Sequence, residues 1–265
     1  MTSSELNPEY LQRFGAIARL YGESALVALS RAHFVVVGLG GVGSWTAEAL
    51  ARSGVGELTL IELDGVCVTN TNRQLHALKP HLGDSKNRVI TERLKAINPD
   101  LVVHSEESFL TRDNMTSLID RRHHVVVDAI DSAHVKARLA AYCSAIKLRL
   151  VMVGSSGGKR DPGKIKISDL GATSYDPMLR KVRTLLYRQH NFSRDRRRRF
   201  GVDAIYSDEQ MTYPQPDGSA CGEKHLGEGV KLDCGGGLGS VVMVTGSFGL
   251  VAAGRAIDRY LEQYL

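Results

Sequence analysis

Residues 34–45 read FVVVGLGGVGSW and give the strongest indication of the fold. Four apolar residues form a strand pattern that leads directly into the glycine spacing G-x-G-x-x-G. Such glycines allow a tight turn from a strand into a helix, where the backbone approaches a phosphate group at the helix amino end. An acid at the end of the second strand pattern usually binds ribose hydroxyls. The residues predicted to contact a nucleotide are therefore Gly38, Gly40, Gly41, Gly43 and Glu62.

On both sides of this turn, the apolar pattern alternates between strands and helices. Strand patterns lie at residues 34–37, 58–61, 101–103, 125–127 and 150–153, and helical patterns at 7–30, 44–53, 86–97, 111–119 and 133–146. This alternation predicts an α/β fold with a doubly wound, mostly parallel Rossmann-type sheet, N-terminal helices and a C-terminal extension. Further on, the sequence predicts a loop and a strand over 155–170, a long loop over 213–229 and a closing helix.

Polar side chains follow the second and fourth strand patterns, at the sheet edge where ligands bind in this architecture. Cations there suit a triphosphate better than a nicotinamide ring, and an aspartate there suits Mg²⁺. Together they supply what attack on an α-phosphate needs: cations that neutralise developing charge and a metal that orients the leaving pyrophosphate. The predicted set is Asp64, Asn70, Asn72, Arg73, Lys86 and Asp131, with Arg73, Lys86 and Asp131 as catalytic candidates and Asp131 as the metal ligand.

Each of these residues also has a purely structural explanation. Arg73 could form a surface ion pair, Lys86 could be a solvated helix start, and Asp131 could cap a helix. The glycine spacing alone also fits an NAD-dependent dehydrogenase. The Asn/Arg segment after Glu62 disfavours that alternative.

The charge of the chain is unevenly distributed. The formal net charge is +5 and the pI about 9.0, yet residues 180–199 hold nine Lys or Arg and one acid, Asp195. A slightly acidic body therefore carries one strongly basic segment, which predicts a phosphate-binding surface, with a solvated loop as the alternative. The predicted contacts are Lys181, Arg183, Arg188, Arg194, Arg196, Arg197, Arg198 and Arg199.

Two features bear on the cellular compartment. The four cysteines form no C-x-x-C pair, which argues against a disulfide framework and a four-cysteine zinc site and favours the reducing cytoplasm. Residues 235–254 are uncharged and reach transmembrane length, but seven of the twenty are glycine. That composition favours a tightly packed buried or interface helix, with membrane association as the minor alternative.

The sequence resembles the ubiquitin-activating-type adenylation domains that include the bacterial ThiF, MoeB and HesA proteins. The matching stretches are GLGGVGSW from Gly38, IELDGVCVTNTNRQ from Ile61, GDSK ending in Lys86, and DAIDS from Asp128. The resemblance implies ATP as the nucleotide, Gly41, Asn70, Arg73 and Lys86 on its phosphates, and Asp131 on the metal. It also implies a homodimer in which an N-terminal arginine, Arg13 or Arg19, reaches the partner subunit's ATP. Glu62 departs from the aspartate that the family usually has.

Nearly the whole chain is similar to one branch of this family, the tRNA threonylcarbamoyladenosine dehydratases. The stretches are RFG and ARLYGE near the start, DGVCVTNTNRQLHAL, YPQPDGSAC and LDCGGGLGS. This implies adenylation of the threonyl carboxylate of modified adenosine beside the tRNA anticodon, then displacement of AMP by the carbamoyl group with net loss of water. We expect an ATP-binding adenylation domain with N-terminal helices at 1–170. A tRNA-facing basic segment with a strand-helix part at 171–265 would complete the same fold.

Several expectations remain open at this point. Carrier-activating relatives use a thioester-forming cysteine, for which Cys234 and Cys221 are the candidates, although an internal nucleophile needs no enzyme thiol. The resemblance also implies contact with a cysteine-desulfurase or other sulfur-acceptor partner, and a monovalent cation without an assigned site. The alternative activities are adenylation of a ubiquitin-like sulfur-carrier protein and a non-enzymatic, nucleotide-responsive tRNA-binding module.

Overall fold

The computed structural model describes residues 6–195, 197–223 and 238–264. The main sheet contains β1 (His33–Val37), β2 (Glu57–Ile61), β3 (Val102–Glu106), β4 (Val125–Asp128), β5 (Arg149–Val153), β6 (Ile165–Asp169) and β7 (Asp203–Ser207), and a hairpin pairs β8 (Tyr213–Pro214) with β9 (Ala220–Cys221). The α-helices are α1 (Pro8–Tyr21), α2 (Glu23–Ser30), α3 (Gly43–Arg52), α4 (Lys86–Ile97), α5 (Met115–Leu118), α6 (Ala133–Ala145), α7 (Pro177–Gln189) and α8 (Val242–Leu261). The predicted strand-helix alternation is confirmed.

The main sheet has the order β3-β2-β1-β4-β5-β7-β6. Six strands run parallel and β6 pairs antiparallel with β7 at one edge, so the predicted doubly wound, mostly parallel sheet is confirmed. The chain leaves β1 toward β2 on one side, and β4 lies on the other side. The strand order therefore reverses between β1 and β4, which is where this architecture binds ligands.

Two apolar layers cover the sheet. On one face, α2, α3, α4 and α8 pack on Phe34, Val36, Leu58 and Leu60, all of which are fully buried. On the other face, α6 and α7 pack on the alternate residues of the strands, which include Val35 and Val126. Side chains alternate between faces along a strand, so both faces of a central strand must be apolar when helices cover both.

The glycine-rich apolar segment packs tightly inside the molecule. A Cβ on Gly249 of α8 would lie 2.5 Å from the Val42 carbonyl oxygen and 2.7 Å from Trp45 Cβ. Glycine thus lets the backbone of α8 come close to α3, and Thr46 Oγ1 donates to the Gly249 carbonyl at 3.1 Å. The prediction of a buried helix within 235–254 is confirmed from Val242 onward, whereas residues 238–241 precede the helix and 235–237 lie outside the described residues. Among the helices in the described ranges, none combines the length and the apolar character that a membrane span requires.

The crossover from β3 to β4 contradicts the sequence prediction. A helix was expected over 111–119, but α5 is one turn long. The Asn114 side chain accepts from the Thr111 backbone N–H at 2.7 Å and donates to the Phe109 carbonyl at 2.9 Å, and such local bonds compete with a helix. Because α5 is so short, the nearby face of β2 and β3 is left partly open, and it carries polar residues.

Two further segments differ from expectation. Part of the basic segment is helical rather than a loop, because Asp176 caps α7 by accepting from the Leu179 N–H at 2.9 Å and Pro177 takes the first turn. Residues 213–229, predicted to be a long loop, form the β8–β9 hairpin as far as the described part reaches.

Candidate active site

The glycine-rich turn joins β1 to α3 with little free space. Gly38 has φ +85°, a left-handed conformation that favours glycine, and a Cβ there would lie 3.2 Å from the Ala129 carbonyl oxygen. A Cβ on Gly43 would lie 1.8 Å from the Gly38 carbonyl oxygen. No side chain fits at that distance, so Gly43 fixes how α3 leaves the turn. The turn also touches the loop after β4, which places both loops at the same point of the sheet edge.

Glu62 lies directly beside this turn and is 7% exposed. Its Oε2 accepts from the Leu39 N–H at 2.8 Å, and its Oε1 accepts from the Leu63 and Asp64 N–H groups at 3.0 and 2.9 Å. The longer arm of glutamate folds back so that both oxygens bind the backbone. Glu62 therefore ties the glycine turn to the end of β2, and it reaches a ribose only through its remaining lone pairs.

Arg73 packs against the middle of the glycine turn. A Cβ on Gly41 would lie 3.1 Å from Arg73 Cγ, so the absent side chain makes room for the arginine. Arg73 Nη1 donates to the Thr69 carbonyl and to Asn72 Oδ1, both at 3.0 Å. Both acceptors are neutral, and over the described ranges Arg73 makes no ion pair with an acid. The alternative of a surface ion pair is therefore unsupported, and the guanidinium charge remains uncompensated beside the turn.

Asn70 and Asn72 hold the same loop. Asn70 is buried in a 3₁₀ turn, and its carbonyl accepts from the Arg73 and Gln74 N–H groups at 3.0 and 2.9 Å. Asn72 Nδ2 donates to the Ser240 carbonyl at 2.8 Å. The segment that precedes α8 therefore lies against the predicted phosphate-binding loop, although its position in sequence gave no sign of this.

Lys86 begins α4 but is only 5% exposed, so it is not a solvated helix start. Its Nζ lies 3.0 Å from Asp64 Oδ2, and its backbone N–H donates to the Asp64 carbonyl at 3.1 Å. Lys86 thus has a counter-ion before any phosphate binds. A ligand phosphate would compete with a half-exposed carboxylate for this ammonium group.

Asp131 lies in the loop between β4 and α6 and is exposed. The N-cap of α6 is Ser132, so Asp131 does not cap the helix. No hydrogen bond or ion pair of the Asp131 carboxylate is found within the described ranges. A free carboxylate beside the glycine turn fits the oxygen ligation that Mg²⁺ prefers.

Asp128 and Lys136, close in sequence to Asp131, form a buried ion pair that was not predicted from the sequence. Lys136 Nζ contacts Asp128 Oδ1 at 2.9 Å and the Val153 carbonyl at 2.7 Å, and both side chains are 0% exposed. Burial raises the pKa of Asp128, while the Lys136 ammonium opposes the rise. The pair joins the carboxyl ends of β4 and β5. The available signals were Asp128, the first aspartate of DAIDS, and Lys136, a lysine in the first turn of the helix that follows.

Two more buried polar residues near this loop were not predicted as site residues. Gln74 Oε1 is buried and has no hydrogen-bond partner among the residues that the structure describes, and the same is true of both ring nitrogens of His76. Burial lowers the pKa of His76 to about 4, so its ring is neutral at pH 7. Gln74 follows Arg73 directly and His76 lies three residues after it, and this proximity in sequence was the available signal.

The remaining candidates lie apart from the glycine turn or outside the described ranges. Arg13 and Arg19 are exposed on α1. Cys221 is exposed on β9, and Cys234 lies outside the described residues. Two other thiols differ sharply: burial raises the pKa of Cys143 to about 12, whereas a hydrogen bond with Thr69 lowers the pKa of exposed Cys67.

The basic segment has two parts. On α7, Leu179, Val182, Leu185 and Leu186 are buried, and Lys181 and Arg188 are exposed on the opposite side. Arg183 faces inward and donates to Thr173 Oγ1 and to the Leu170 carbonyl. After the helix, Arg194 lies 5.8 Å from the Tyr187 ring centroid and Arg197 pairs with Asp195 at 3.1 Å. Arg198 and Arg199 are exposed, and Arg196 lies outside the described residues.

Fold and site together define a nucleotide-binding α/β protein with free cationic and acidic groups at its glycine turn. Residues 15–166 match the ThiF family, and the chain belongs to that family. It is similar to the tRNA threonylcarbamoyladenosine dehydratase of Escherichia coli K12, with 45% identity over 259 residues that cover 97% of each chain. The protein of that name from Haemophilus influenzae Rd is 43% identical over 254 residues, 96% of this chain and 95% of that one. The crystal structure of the E. coli tRNA N6-threonylcarbamoyladenosine dehydratase in complex with ATP has a TM-score of 0.87 and 41% identity, covering 97% of both chains.

Proposed function

We propose that the protein is an ATP-dependent tRNA threonylcarbamoyladenosine dehydratase that acts through adenylation of the threonyl carboxylate. The carboxylate oxygen would attack the α-phosphate of ATP and release pyrophosphate. The carbamoyl group of the same nucleoside would then attack the acyl carbon and release AMP, which closes a ring with net loss of one water from the nucleoside. The observation that carries the proposal is the uncompensated Arg73 guanidinium packed against Gly41 of the glycine turn. Similarity over nearly the whole chain to named dehydratases supports the choice of substrate.

Each residue of the predicted site would have a distinct role in binding ATP. The backbone of the turn, Gly38, Gly40, Gly41 and Gly43, would receive the phosphates at the amino end of α3. Arg73 and Lys86 would stabilise negative charge that develops on the α-phosphate and the leaving pyrophosphate. Glu62 would position the turn through the three hydrogen bonds that it accepts from backbone N–H groups, and it would also accept a hydrogen bond from a ribose hydroxyl. Asn70, Asn72 and Asp64 would hold Arg73 and Lys86 in place.

Asp131 is the residue we propose to hold Mg²⁺. Its exposed carboxylate has no counter-ion in the described ranges, while the nearby Asp128 is neutralised by Lys136 and therefore unsuited to a cation. When bound, Mg²⁺ would draw negative charge from the phosphate oxygens. A monovalent cation has no assigned ligands.

The tRNA would contact the exposed cations of the basic segment. Lys181 and Arg188 project from α7, and Arg194, Arg198 and Arg199 follow it. Arg183, with an inward hydrogen bond, and Arg197, with a carboxylate partner, would contribute less. Phosphate contacts of this kind position an RNA without reading its sequence, so recognition of the modified base must come from the glycine-turn site.

The remaining expectations concern partners and place. We propose a homodimer in the cytoplasm, in which Arg13 or Arg19 of one subunit reaches the ATP of the other. A thiol at Cys234 or Cys221 is not required for ring closure, and contact with a cysteine-desulfurase or sulfur-acceptor partner is a separate expectation. We retain residues 1–170 as the adenylation domain and 171–265 as the tRNA-facing part that completes the fold.

The test is AMP release from ATP and Mg²⁺ in the presence of tRNA that carries or lacks the threonylcarbamoyl group. Wild-type protein should release AMP only with the modified tRNA, and the digested nucleoside should lose the mass of one water. Asp131→Asn should reduce AMP release and shift its Mg²⁺ dependence to higher concentration, whereas Asp113→Asn, at another exposed loop aspartate, should do neither. Adenylation of a small carrier protein without any nucleoside change would favour the alternative activity. Binding of ATP and tRNA without AMP would favour the non-enzymatic module.

A further inference from the structure

A second polar cluster lies at the amino end of the strands, across the sheet from the glycine turn. His33 begins β1, Glu57 begins β2, and His104 lies within β3. His33 pairs in register with Glu57, and His104 pairs with Thr59, so the four side chains share one face of the sheet. This is the face that the one-turn helix α5 leaves partly open. A cavity of about 290 Å³ adjoins the cluster, with Ser117 and Leu118 in its wall.

The three potential ligands already converge. His33 Nδ1 lies 3.3 Å from Glu57 Oε1, and His104 Nε2 lies 2.5 Å from the same oxygen. One ligand atom of each residue lies within 4.8 Å of the others, and within the described ranges these are the three His, Cys, Asp or Glu residues whose ligand atoms converge in this way. Ligands of tetrahedral Zn²⁺ are about 3.3 Å apart, given Zn–N distances of about 2.0–2.1 Å. The His104 Nε2–Glu57 Oε1 distance would have to increase by somewhat less than 1 Å, which movement of the exposed His104 side chain allows.

The second ring nitrogen of His33 is also bound in the way a metal ligand needs. His33 Nε2 lies 2.8 Å from Thr59 Oγ1, and Thr59 Oγ1 lies 3.5 Å from His123 Nε2. With the proton on Nε2 donated to the hydroxyl, the Nδ1 lone pair faces Glu57. Metal-binding histidines characteristically donate their other ring N–H to such a group.

We propose that His33, Glu57 and His104 form a binding site for a transition-metal dication such as Zn²⁺, separate from the Mg²⁺ site at Asp131. Two imidazoles and one carboxylate match the ligand preference of Zn²⁺, whereas Mg²⁺ prefers oxygen ligands alone. Three protein ligands leave one position for water, which the adjoining cavity supplies. The ion would cross-link β1, β2 and β3 on the face of the sheet that α5 leaves partly open.

The test measures Zn²⁺ binding to full-length, chelator-treated protein by equilibrium dialysis with metal analysis. Asp131→Asn serves as the background, so that Zn²⁺ cannot occupy the proposed Mg²⁺ site. One equivalent should bind, and His104→Gln should weaken binding at least about 10-fold. Thr59→Val, which keeps all three ligands but removes the hydroxyl, should weaken it by a smaller factor. His81→Gln is the matched control, because it removes one histidine from a surface pair with Asp84.

Cobalt distinguishes this site from the exposed thiols. The Co²⁺ complex should show a visible spectrum of nitrogen and oxygen ligation without a thiolate charge-transfer band, and the spectrum should disappear in His104→Gln. The proposal is overturned if, in the Asp131→Asn background, Zn²⁺ binds equally well with and without His104→Gln. A thiolate band in the bound form, or no equivalent retained on dialysis, would overturn it as well. The folded state of each variant is checked by its unfolding transition.

Discussion

The parallel strands have a carboxyl end and an amino end, which form the carboxyl edge and the amino edge of the sheet, and these two edges differ in how their polar residues are held. At the carboxyl edge, Glu62 just after β2, Lys86 at the start of α4 and Asp128 at the end of β4 are buried, each held by backbone groups or a counter-ion. At the amino edge, strand residues His33, Glu57 and His104 meet on a partly open face. Substitutions at the carboxyl edge should therefore lower the free energy of unfolding or the activity strongly, and substitutions at the more exposed amino edge should change them little. Five variants test this contrast.

Gly43→Ala should have the largest effect. The new methyl group would lie 1.8 Å from the Gly38 carbonyl oxygen, so the glycine turn has to move. We expect a loss of more than about 4 kcal/mol in the free energy of unfolding, or no folded protein. Gly254→Ala in α8 is the control, since its Cβ meets nothing within 4 Å, and alanine should stabilise that helix by up to about 1 kcal/mol. Denaturant unfolding checks both; similar stabilities for the two variants would contradict the prediction.

Lys136→Met should cost about 3–5 kcal/mol at pH 7, because it leaves the Asp128 carboxylate buried without a cation. Burial already raises the pKa of Asp128, and loss of the ammonium raises it further. In the unfolded chain Asp128 titrates near 3.8, so the cost of folding with this group neutral grows as the pH rises above that value.

The deficit of Lys136→Met should therefore be smaller at pH 5 than at pH 7. Urea unfolding of wild type and variant at both pH values measures it. The double variant Lys136→Met/Asp128→Asn should recover part of the loss at pH 7. A deficit that does not change with pH, together with no recovery, would mean that the carboxylate does not carry the cost.

Arg73→Ala should reduce the rate of AMP release by about 100- to 1,000-fold, the range for losing one group that stabilises developing charge. Stability should change little, because the side chain bonds only two neutral oxygens. Exposed Arg112→Ala is the control and should keep full activity. An Arg73→Ala variant with wild-type kcat would remove Arg73 from the chemistry.

The double variant Lys181→Ala/Arg188→Ala tests whether the exposed surface of α7, away from both edges, contributes to tRNA binding. Binding of tRNA should weaken, and the slope of log K against log salt should become shallower by about 2, one for each lost phosphate contact. The control Lys95→Ala/Arg112→Ala removes two exposed charges elsewhere and should leave the slope unchanged. Equal slopes for both double variants would place the RNA on a different surface.

His104→Gln should have the smallest effect on the metal-free protein. Its side chain is 46% exposed, so the free energy of unfolding should change by no more than about 0.5 kcal/mol. AMP release should also be unchanged. A large loss of stability at this position would show that the amino edge is as tightly held as the carboxyl edge.

The central fold was predictable because its signals are local. The strand patterns and the glycine spacing fall within a few residues of the observed elements, and α4 begins and ends where the pattern predicts. The wrong helix at 111–119 has a local cause as well: the Thr111 and Asn114 side chains bind the backbone, and apolar periodicity does not record such bonds.

The candidate site was predictable only in part, because several contacts join residues far apart in sequence. The approach of Ser240 to Asn72 and the position of Lys136 under Asp128 depend on how strands and helices stack. The histidine cluster went unnoticed for the same reason, since its members come from three different strands. Roles assigned to Arg73, Lys86 and Asp131 remain predictions that the variants above address.

The strand order also affects how the chain emerges during synthesis. One side of β5 pairs with β7 in the folded sheet. In the chain, however, β6 and the whole of α7 lie between Val153 at the end of β5 and the start of β7. At about 5–20 residues per second, the ribosome takes several seconds to supply them. During that interval the buried edge of β5 offers unpaired N–H and C=O groups to any other extended segment. Premature pairing of β6 with β5 is therefore the misfolding event that this topology invites, and truncation before Asp203 should yield aggregating protein.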